Sequence, residues 1–287
     1  NVDIKLLDLE RIPELKTDLI IAGCYEGKTS GKLIQILDRA SKGEIKKVIR
    51  RGDHKGLVAS TLSIPTLVGV KAERVGLLGC GEQKKVKSLE QAIKIISSAV
   101  QSTKVSGAKE AYIILPQIKL DNQDDKWVSY QVGMIAESLC YAYTPKLGKS
   151  KNNITKLKKI TLVLQSSKLS IKSLKKELLR GQMTGQGMNV AKDLGNLPGN
   201  ICTPNYLAKE SKAASKKYSN LTCKVLGEKE MSKLGLNCLL SVGNGSVEES
   251  KLICLEYKGG HKNEKPHALV GKGITFDTGG ISLKPGN

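Results

Sequence analysis

Residues 74–115 read RVGLLGCGEQKKVKSLEQAIKIISSAVQSTKVSGAKEAYIIL, and this stretch decides the fold class. Its first apolar run, residues 74–79, ends in a glycine turn and predicts a buried strand. A second apolar run at 111–115 predicts another strand. Between them, residues 89–100 predict a helix, because four apolar residues share one helical face: Ala92, Ile95, Ile96 and Ala99. Strands joined through a helix are typical of a parallel sheet, so we predict an α/β fold.

The same alternation of strand and helix patterns continues on both sides of this stretch. On its N-terminal side, apolar runs and helical spacing predict a strand at 19–22 and a helix at 32–39. On its C-terminal side they predict a helix at 128–141 and a strand at 160–164. The chain up to this point is therefore expected to form a mainly parallel sheet covered by helices.

A basic segment follows and suggests a domain border. Between Lys146 and Arg180 lie eleven basic residues and a single acid, Glu177. We place the boundary near residue 170, which gives an accessory domain at 1–170 and a second α/β domain at 171–287. In the second domain the patterns predict helices at 176–196 and 206–218 and strands at 252–257 and 267–270.

Composition narrows the class of protein. Seven cysteines are dispersed and never form Cys-x-x-Cys, which argues against a disulfide framework or a zinc ribbon and favours buried free thiols in a reducing cytoplasm. No apolar stretch approaches the length of a membrane span, and residues 1–5 lack a signal-peptide core. We therefore expect a cytoplasmic protein without a membrane partner.

The net charge of +20 leaves two interpretations open. It is compatible with binding to nucleic acid or to acidic surfaces. A lysine-rich solubilising surface explains it equally simply, and no zinc-finger spacing or RNP-type aromatic strand accompanies the charge. We favour the solubilising surface and keep DNA binding as an alternative.

A glycine-containing loop near the N-terminus fits a relaxed phosphate-loop pattern. Residues 22–29 read AGCYEGKT and lie between a predicted strand and a predicted helix, so that Lys28 would reach phosphates and Thr29 would hold magnesium. Ala22 replaces the first glycine, Glu26 places negative charge beside the phosphates, and no later strand ends in the expected Asp. We favour an ordinary strand–turn–helix connection and keep a nucleotide binder as the second alternative.

The segment that carries chemistry is residues 269–285, in which an apolar run enters a glycine-rich loop with two lysines and one aspartate. Aspartate oxygens are good ligands for divalent metals. Lys272 and Asp277 differ by five positions, so the chain must turn between them if both are to reach one site. From spacing alone, a glycine-rich turn with solvated lysines is at least as good an interpretation.

Three sequence blocks resemble those of the leucyl (cytosol) aminopeptidase family, bacterial type. Residues 271–285, GKGITFDTGGISLKP, resemble the long and specific family signature. Residues 189–200, NVAKDLGNLPGN, followed by Thr203 and Pro204, resemble the opening of the catalytic domain. A weaker block lies at 240–246. The resemblance spans nearly the whole chain and implies an N-terminal macro-like three-layer domain followed by the first part of an α/β zinc-peptidase-like catalytic domain.

The resemblance also implies a reaction and residues that perform it. The family's members are metallo-exopeptidases that remove N-terminal residues such as leucine with two divalent ions, Mn²⁺ or Zn²⁺, and bicarbonate. Lys272 matches a metal ligand, Asp277 matches a carboxylate contacting both metals, and Lys284 matches a catalytic lysine beside the substrate carbonyl. A lysine ligates only as the neutral amine, a form that dications and burial favour. Family members assemble as homohexamers. Some bacterial members bind DNA in recombination or regulation, and this is the alternative function that the resemblance leaves open.

The family's remaining metal ligands and an arginine lie in a later block, and this chain stops at Asn287. One aspartate supplies too little negative charge for two dications. We therefore interpret these 287 residues as part of a longer protein and expect them to have no peptidase activity by themselves.

Overall fold

The computed structural model of the chain describes residues 1–27, 31–120, 122–143, 156–164, 167–261 and 263–276. These residues pack into two compact units, which comprise residues 1–192 and 193–287. The helix that begins at Ile171 packs with the first unit as far as Lys192. The predicted limits of the two domains, 1–170 and 171–287, stay a prediction.

The first unit is built on a six-stranded sheet in the order β1-β6-β5-β2-β4-β3. All neighbouring strands pair in parallel except β3, which is antiparallel to β4 at one edge. The predicted, mainly parallel sheet is thus confirmed. Its strands are β1 (Val2–Leu6), β2 (Leu19–Cys24), β3 (Thr61–Ile64), β4 (Arg74–Gly79), β5 (Glu110–Leu115) and β6 (Lys159–Leu164).

Helices cover both faces of this sheet and complete three layers. A short 3-10 helix, Leu9–Glu14, lies on the same face as α1 and α2. The opposite face carries α3, α4 and the first half of α5. The α-helices are α1 (Lys32–Ala40), α2 (Glu44–Arg51), α3 (Leu89–Val105), α4 (Asp125–Leu139) and α5 (Ile171–Asn196).

Two apolar cores follow from the alternation of side chains along the strands. In β2, Leu19 and Ile21 join the core beneath α3 and α4, whereas Ile20 and Ala22 join the core beneath α1. All six residues of β2 are buried. This is why the central strands read as uninterrupted apolar runs in the sequence.

The second unit is smaller and contains a two-stranded antiparallel sheet. Its elements are α6 (Pro204–Lys217), β7 (Leu221–Leu226), α7 (Glu228–Lys233), α8 (Asn237–Gly243) and β8 (Leu252–Tyr257). The helix predicted at 206–218 and the strand predicted at 252–257 correspond to α6 and β8.

The strand predicted at 267–270 does not form, and that prediction was wrong. Leu269 and Val270 are 99% and 97% exposed, and the described part of the second unit contains no strand that pairs with them. An apolar run becomes a strand only where a neighbour accepts its backbone hydrogen bonds. The sequence pattern reports the apolar character of the run but not the presence of that neighbour.

The cysteines divide between the interior and the surface, and all seven are free. Cys24, Cys80 and Cys202 are buried, as predicted for thiols in apolar runs. Cys238 and Cys254 are exposed, so the prediction of burial was wrong for them. No described helix is both long and apolar enough to cross a membrane.

Candidate active site

The loop at 271–276 holds the first of the predicted site residues. Lys272 is exposed and lies in irregular backbone between Val270 and Thr275. Asp277 and Lys284 lie outside the described residues. Of the three residues that the family signature nominates, the structure therefore describes one, Lys272. It also describes the two residues that precede Asp277 in the chain, Thr275 and Phe276.

Two of the family-like blocks, 189–200 and 271–285, contact each other next to these residues. A Cβ atom built on Gly199 would lie 3.0 Å from the carbonyl oxygen of Thr275 and 3.1 Å from Cδ2 of the Phe276 ring. Such distances are tighter than most real Cβ contacts, so the absence of a side chain at Gly199 favours the close approach. The end of the 189–200 block thus packs directly against the two residues that precede Asp277.

The start of α6 lies beside the same loop. The Thr203 hydroxyl accepts a hydrogen bond from the Tyr206 N–H at 3.3 Å, and Pro204 occupies the first helical turn, both as helix N-termini prefer. A Cβ on Gly273 would lie 3.9 Å from Cδ1 of Leu207, an ordinary contact distance. The sequence Thr203–Pro204, singled out for its resemblance, therefore starts the helix that borders the glycine-rich loop.

The two metal ligands that the family signature nominates have donor atoms suited to a divalent ion. The amine of Lys272 and the carboxylate of Asp277 are nitrogen and oxygen donors of the kind that Mn²⁺ and Zn²⁺ accept. Among the described residues, no group of three or more His, Cys, Asp or Glu side chains is arranged to hold a metal ion. Glu256, an acid of the same unit, is exposed on β8 with its carboxylate 3.8 Å from the ammonium of Lys258.

The relationship of the whole chain to known proteins agrees with these blocks. The sequence model of the cytosol aminopeptidase family catalytic domain matches residues 189–287, and that of the family's N-terminal domain matches residues 21–145. The chain belongs to the cytosol aminopeptidase family. The catalytic-domain match begins at Asn189, the first residue of the block that resembles the opening of that domain.

Curated relatives of this cytosol aminopeptidase family member align with it over nearly the entire length of this chain. A probable cytosol aminopeptidase of Nitrosococcus oceani is 42% identical over 275 residues, which cover 94% of this chain and 54% of the relative. A probable cytosol aminopeptidase of Pseudomonas fluorescens is 40% identical over 280 residues, with coverages of 95% and 54%. The chain thus spans about half the length of the curated relatives it matches.

Solved structures agree on the fold of this family member. A mutant of tomato leucine aminopeptidase superposes with a TM-score of 0.78 at 20% identity, covering 97% of this chain and 55% of the other. The bottromycin maturation enzyme BotP in complex with Mn superposes with a TM-score of 0.65 at 22% identity, with coverages of 94% and 50%. At these identities the likeness concerns the fold alone.

For the phosphate-loop alternative, the described residues show the strand and the helix that such a loop connects, but not the loop's own ligand-binding residues. β2 ends at Cys24 and α1 begins at Lys32, so a strand, a connection and a helix follow one another as the pattern requires. Lys28 and Thr29, the residues that would contact phosphate and magnesium, lie outside the described residues.

Proposed function

We propose that the protein containing this chain is a metal-dependent aminopeptidase that removes N-terminal residues, leucine among them, from peptides. The observation that carries this proposal is the pair of family matches at 21–145 and 189–287, together with the signature-like block at 271–285. Since the chain spans about half of its relatives, the activity is proposed for the whole protein.

Lys272 and Asp277 are the residues of this chain that would hold the metals. The Lys272 amine would act as a neutral nitrogen ligand, and the Asp277 carboxylate would reach both ions. When bound, two divalent ions, Mn²⁺ or Zn²⁺, would supply Lewis acidity at the scissile carbonyl, a water of lowered pKa and an anchor for the substrate's free α-amine. The packing of Gly199 against Thr275 and Phe276 supports a fixed approach of the chain to Asp277.

Lys284 would act on the substrate itself. Its ammonium would stay charged and stabilise the negative charge that develops on the carbonyl oxygen when water attacks. A bicarbonate ion would serve as the base, held by an arginine of the later family block. The assembly would be a homohexamer, as the family resemblance implies. The DNA-binding alternative has no observation in its favour beyond the net charge of +20.

The test uses the protein expressed from its complete reading frame, with leucine p-nitroanilide as the substrate and Mn²⁺ added. We expect turnover that a chelator abolishes and Mn²⁺ restores. Lys284→Ala should lower kcat by about 100-fold or more, since a lost oxyanion donor has effects of that size. Lys265→Ala, which removes an exposed lysine of the same unit, should leave kcat unchanged.

Two results would count against the proposal. One is a folded, metal-loaded protein without hydrolysis of any N-terminal residue, and the other is full turnover in Lys284→Ala. The isolated 287-residue polypeptide is a separate test, because we expect it to be inactive. Hydrolysis by that polypeptide would show that Lys272, Asp277 and Lys284 need no later ligands.

A further inference from the structure

The last turn of α4 has backbone oxygens that find no partner within the helix. The Cys140 N–H donates to the carbonyl oxygen of Ala136 at 3.1 Å and closes the last helical hydrogen bond. The carbonyl oxygens of Glu137, Ser138 and Leu139 come after it, so the helix itself offers them no N–H. Carbonyl groups at a partly buried helix end need donors from other elements.

Two of these donors come from the C-terminal half of α5. The side-chain amide of Asn189 donates to the carbonyl oxygen of Glu137 at 3.1 Å. The ammonium of Lys192 donates to the carbonyl and hydroxyl oxygens of Ser138, both at 2.9 Å, and to Oδ1 of Asn189 at 3.4 Å. The same ammonium lies 5.1 Å from the centroid of the Tyr141 ring, within the range of a cation–π interaction.

The third donor comes from α3. The ammonium of Lys104 donates to the carbonyl oxygen of Leu139 at 2.6 Å. Two cations, Lys104 and Lys192, therefore lie at the C-terminal end of α4, where the helix dipole is negative and favours positive charge. The end of α4 is thus capped entirely by side chains of its two neighbouring helices.

The capping contacts extend a close approach of the α4 and α5 backbones. A Cβ atom built on Gly185 would lie 2.7 Å from the carbonyl oxygen of Met134 and 2.6 Å from Cβ of Glu137. Nε2 of Gln182 also donates to the Glu137 carboxylate at 3.2 Å. Lys192 follows Gly185 by about two helical turns, so the caps prolong this contact toward the end of α5.

The two caps from α5 have a special place in the sequence. Asn189 and Lys192 belong to the family-like block at 189–200, and the catalytic-domain match begins at Asn189. α4, the helix that they cap, lies within the N-terminal-domain match. Since the Lys192 ammonium already has three oxygen acceptors, it is engaged in holding α4 and is not a donor for a metal.

The chain beyond these caps leads toward the proposed metal ligands. α5 continues past Lys192 to Asn196 and enters a tight turn, in which the carbonyl oxygen of Pro198 accepts two backbone hydrogen bonds at 2.9 Å. Gly199, the next residue, packs against the two residues that precede Asp277. The position of the turn therefore bears on the approach of the chain to Asp277.

We propose that Asn189 and Lys192 are positioning residues for the metal-dependent activity proposed above, and this role rests on that activity. By capping α4 they hold the C-terminal half of α5 against the first unit, and with it the start of the chain that leads to Gly199. Without the caps this part of α5 loosens, and the arrangement that binds metal at Asp277 is less populated. The apparent Kd for the metal then rises in proportion.

The test is a calorimetric titration of the complete protein with Mn²⁺. Lys192→Met should raise the Kd about fivefold, less than the 10- to 100-fold typical of residues that hydrogen-bond directly to metal ligands. Lys192→Arg, which keeps a charged donor for the helix end, should stay within about twofold of the wild type. A merely structural role would lower the amount of Mn²⁺ bound per chain and leave the Kd unchanged.

A matched variant and a second readout connect the effect to the caps. Lys176→Met removes the same charge from an exposed position of α5 and should leave the Kd unchanged. Hydrogen exchange followed by mass spectrometry should show faster exchange in peptides covering residues 136–141 for Lys192→Met but not for Lys176→Met. If thermal melting shows that Lys192→Met does not fold, Asn189→Ala, which removes one neutral donor, decides on the same readouts.

The outcomes separate this role from the proposed activity. A wild type that binds Mn²⁺ and hydrolyses leucine p-nitroanilide, with an unchanged Kd in Lys192→Met, would overturn the positioning role alone. An equal rise in Lys176→Met would also overturn it, because the effect would then follow from net charge. Absence of Mn²⁺ binding by the wild type would refute the proposed activity and the positioning role with it, and hydrogen exchange would still show whether the caps hold α4.

Discussion

His54 and Cys24 form a buried pair in the first unit, with Nε2 of the imidazole 3.1 Å from Sγ of the thiol. Cys24 lies at the end of β2, and its thiol also donates to the carbonyl oxygen of Leu78. Burial raises the pKa of the Cys24 thiol to about 12 and lowers the pKa of His54. Both groups are therefore neutral near pH 7, so the pair is structural and lacks the thiolate of a nucleophilic dyad.

Neutral His54 makes stability depend on pH. Above about pH 6.5, the ordinary pKa of histidine, the ring is neutral in both the folded and the unfolded chain. Below that pH the unfolded chain takes up the proton first, because burial keeps the folded pKa lower. The free energy of unfolding should therefore decline as the pH falls from about 6.5 toward the folded pKa.

Urea titrations followed by Trp127 fluorescence would measure this decline between about pH 7.5 and about pH 5. In His54→Gln, the free energy of unfolding should depend less steeply on pH than in the wild type, because glutamine takes up no proton in the folded or the unfolded chain. His267→Gln, a control at an exposed histidine of the second unit, should keep the wild-type slope. Identical slopes in all three proteins would show that His54 is not the group responsible.

At the scale of elements, the contact between α4 and α5 is made by glycines. A Cβ on Gly181 would lie 2.0 Å from the carbonyl oxygen of Tyr130, and one on Gly133 would lie 2.3 Å from that of Leu178. Both distances are shorter than any real contact, so the two helix backbones touch without side chains between them. Lys192 adds a polar tie, since its ammonium donates to the carbonyl and hydroxyl oxygens of Ser138 at 2.9 Å.

Two alanine substitutions in α5 should have opposite effects. Gly181→Ala forces the helices apart and should lower the free energy of unfolding by about 1–3 kcal/mol or more. Gly187→Ala meets nothing within 4 Å, so it should raise that free energy by up to about 1 kcal/mol through helix propensity alone. Urea unfolding would measure the free energy of unfolding of both variants. An unchanged free energy in Gly181→Ala would contradict the close contact between α4 and α5.

Helices and strands with a clear apolar pattern in the sequence are predictable, whereas those without such a pattern are not. α3 was predicted from its apolar face, and the structure adds a capping box in which Ser88 and Gln91 exchange hydrogen bonds. β3 was missed because it is a four-residue edge strand with two half-buried and two exposed side chains, so it has no continuous apolar run. α4 begins at Asp125, three residues before its predicted start, because Asp124 caps it.

At the scale of the whole molecule, the second unit exposes large apolar side chains. Leu269, Val270 and Val247 are almost fully accessible in this unit. Large apolar side chains exposed in this way mark places where other protein surfaces pack. We expect the 287-residue chain to bind a hydrophobic dye such as ANS and to self-associate at high concentration.

The double variant Leu269→Ser with Val270→Ser should lower dye fluorescence and self-association measured by light scattering. Asn263→Ser with Lys265→Ser places two serines at exposed polar positions nearby and should change neither quantity. Dye binding that is unaffected by the first pair would show that this apolar segment is covered in solution.

By itself, the sequence determined the α/β class, most of the strands and helices of the first unit and the family of the chain. Central strands, buried on both faces, must be apolar throughout, and residues 271–285 follow a long family-like signature, so both leave local patterns. The nomination of Lys272, Asp277 and Lys284 rests on such a pattern and stays a prediction.

Only the tertiary structure decided which distant segments meet. It placed Gly199 against Thr275 and Phe276, paired His54 with Cys24, and left residues 267–270 without a strand partner. It also placed the carboxyl ends of β2 and β5 side by side at a cavity, because the strand order, and not any single motif, makes these two strands neighbours. These features depend on contacts between residues far apart in the chain, which the local spacing of residue types does not encode.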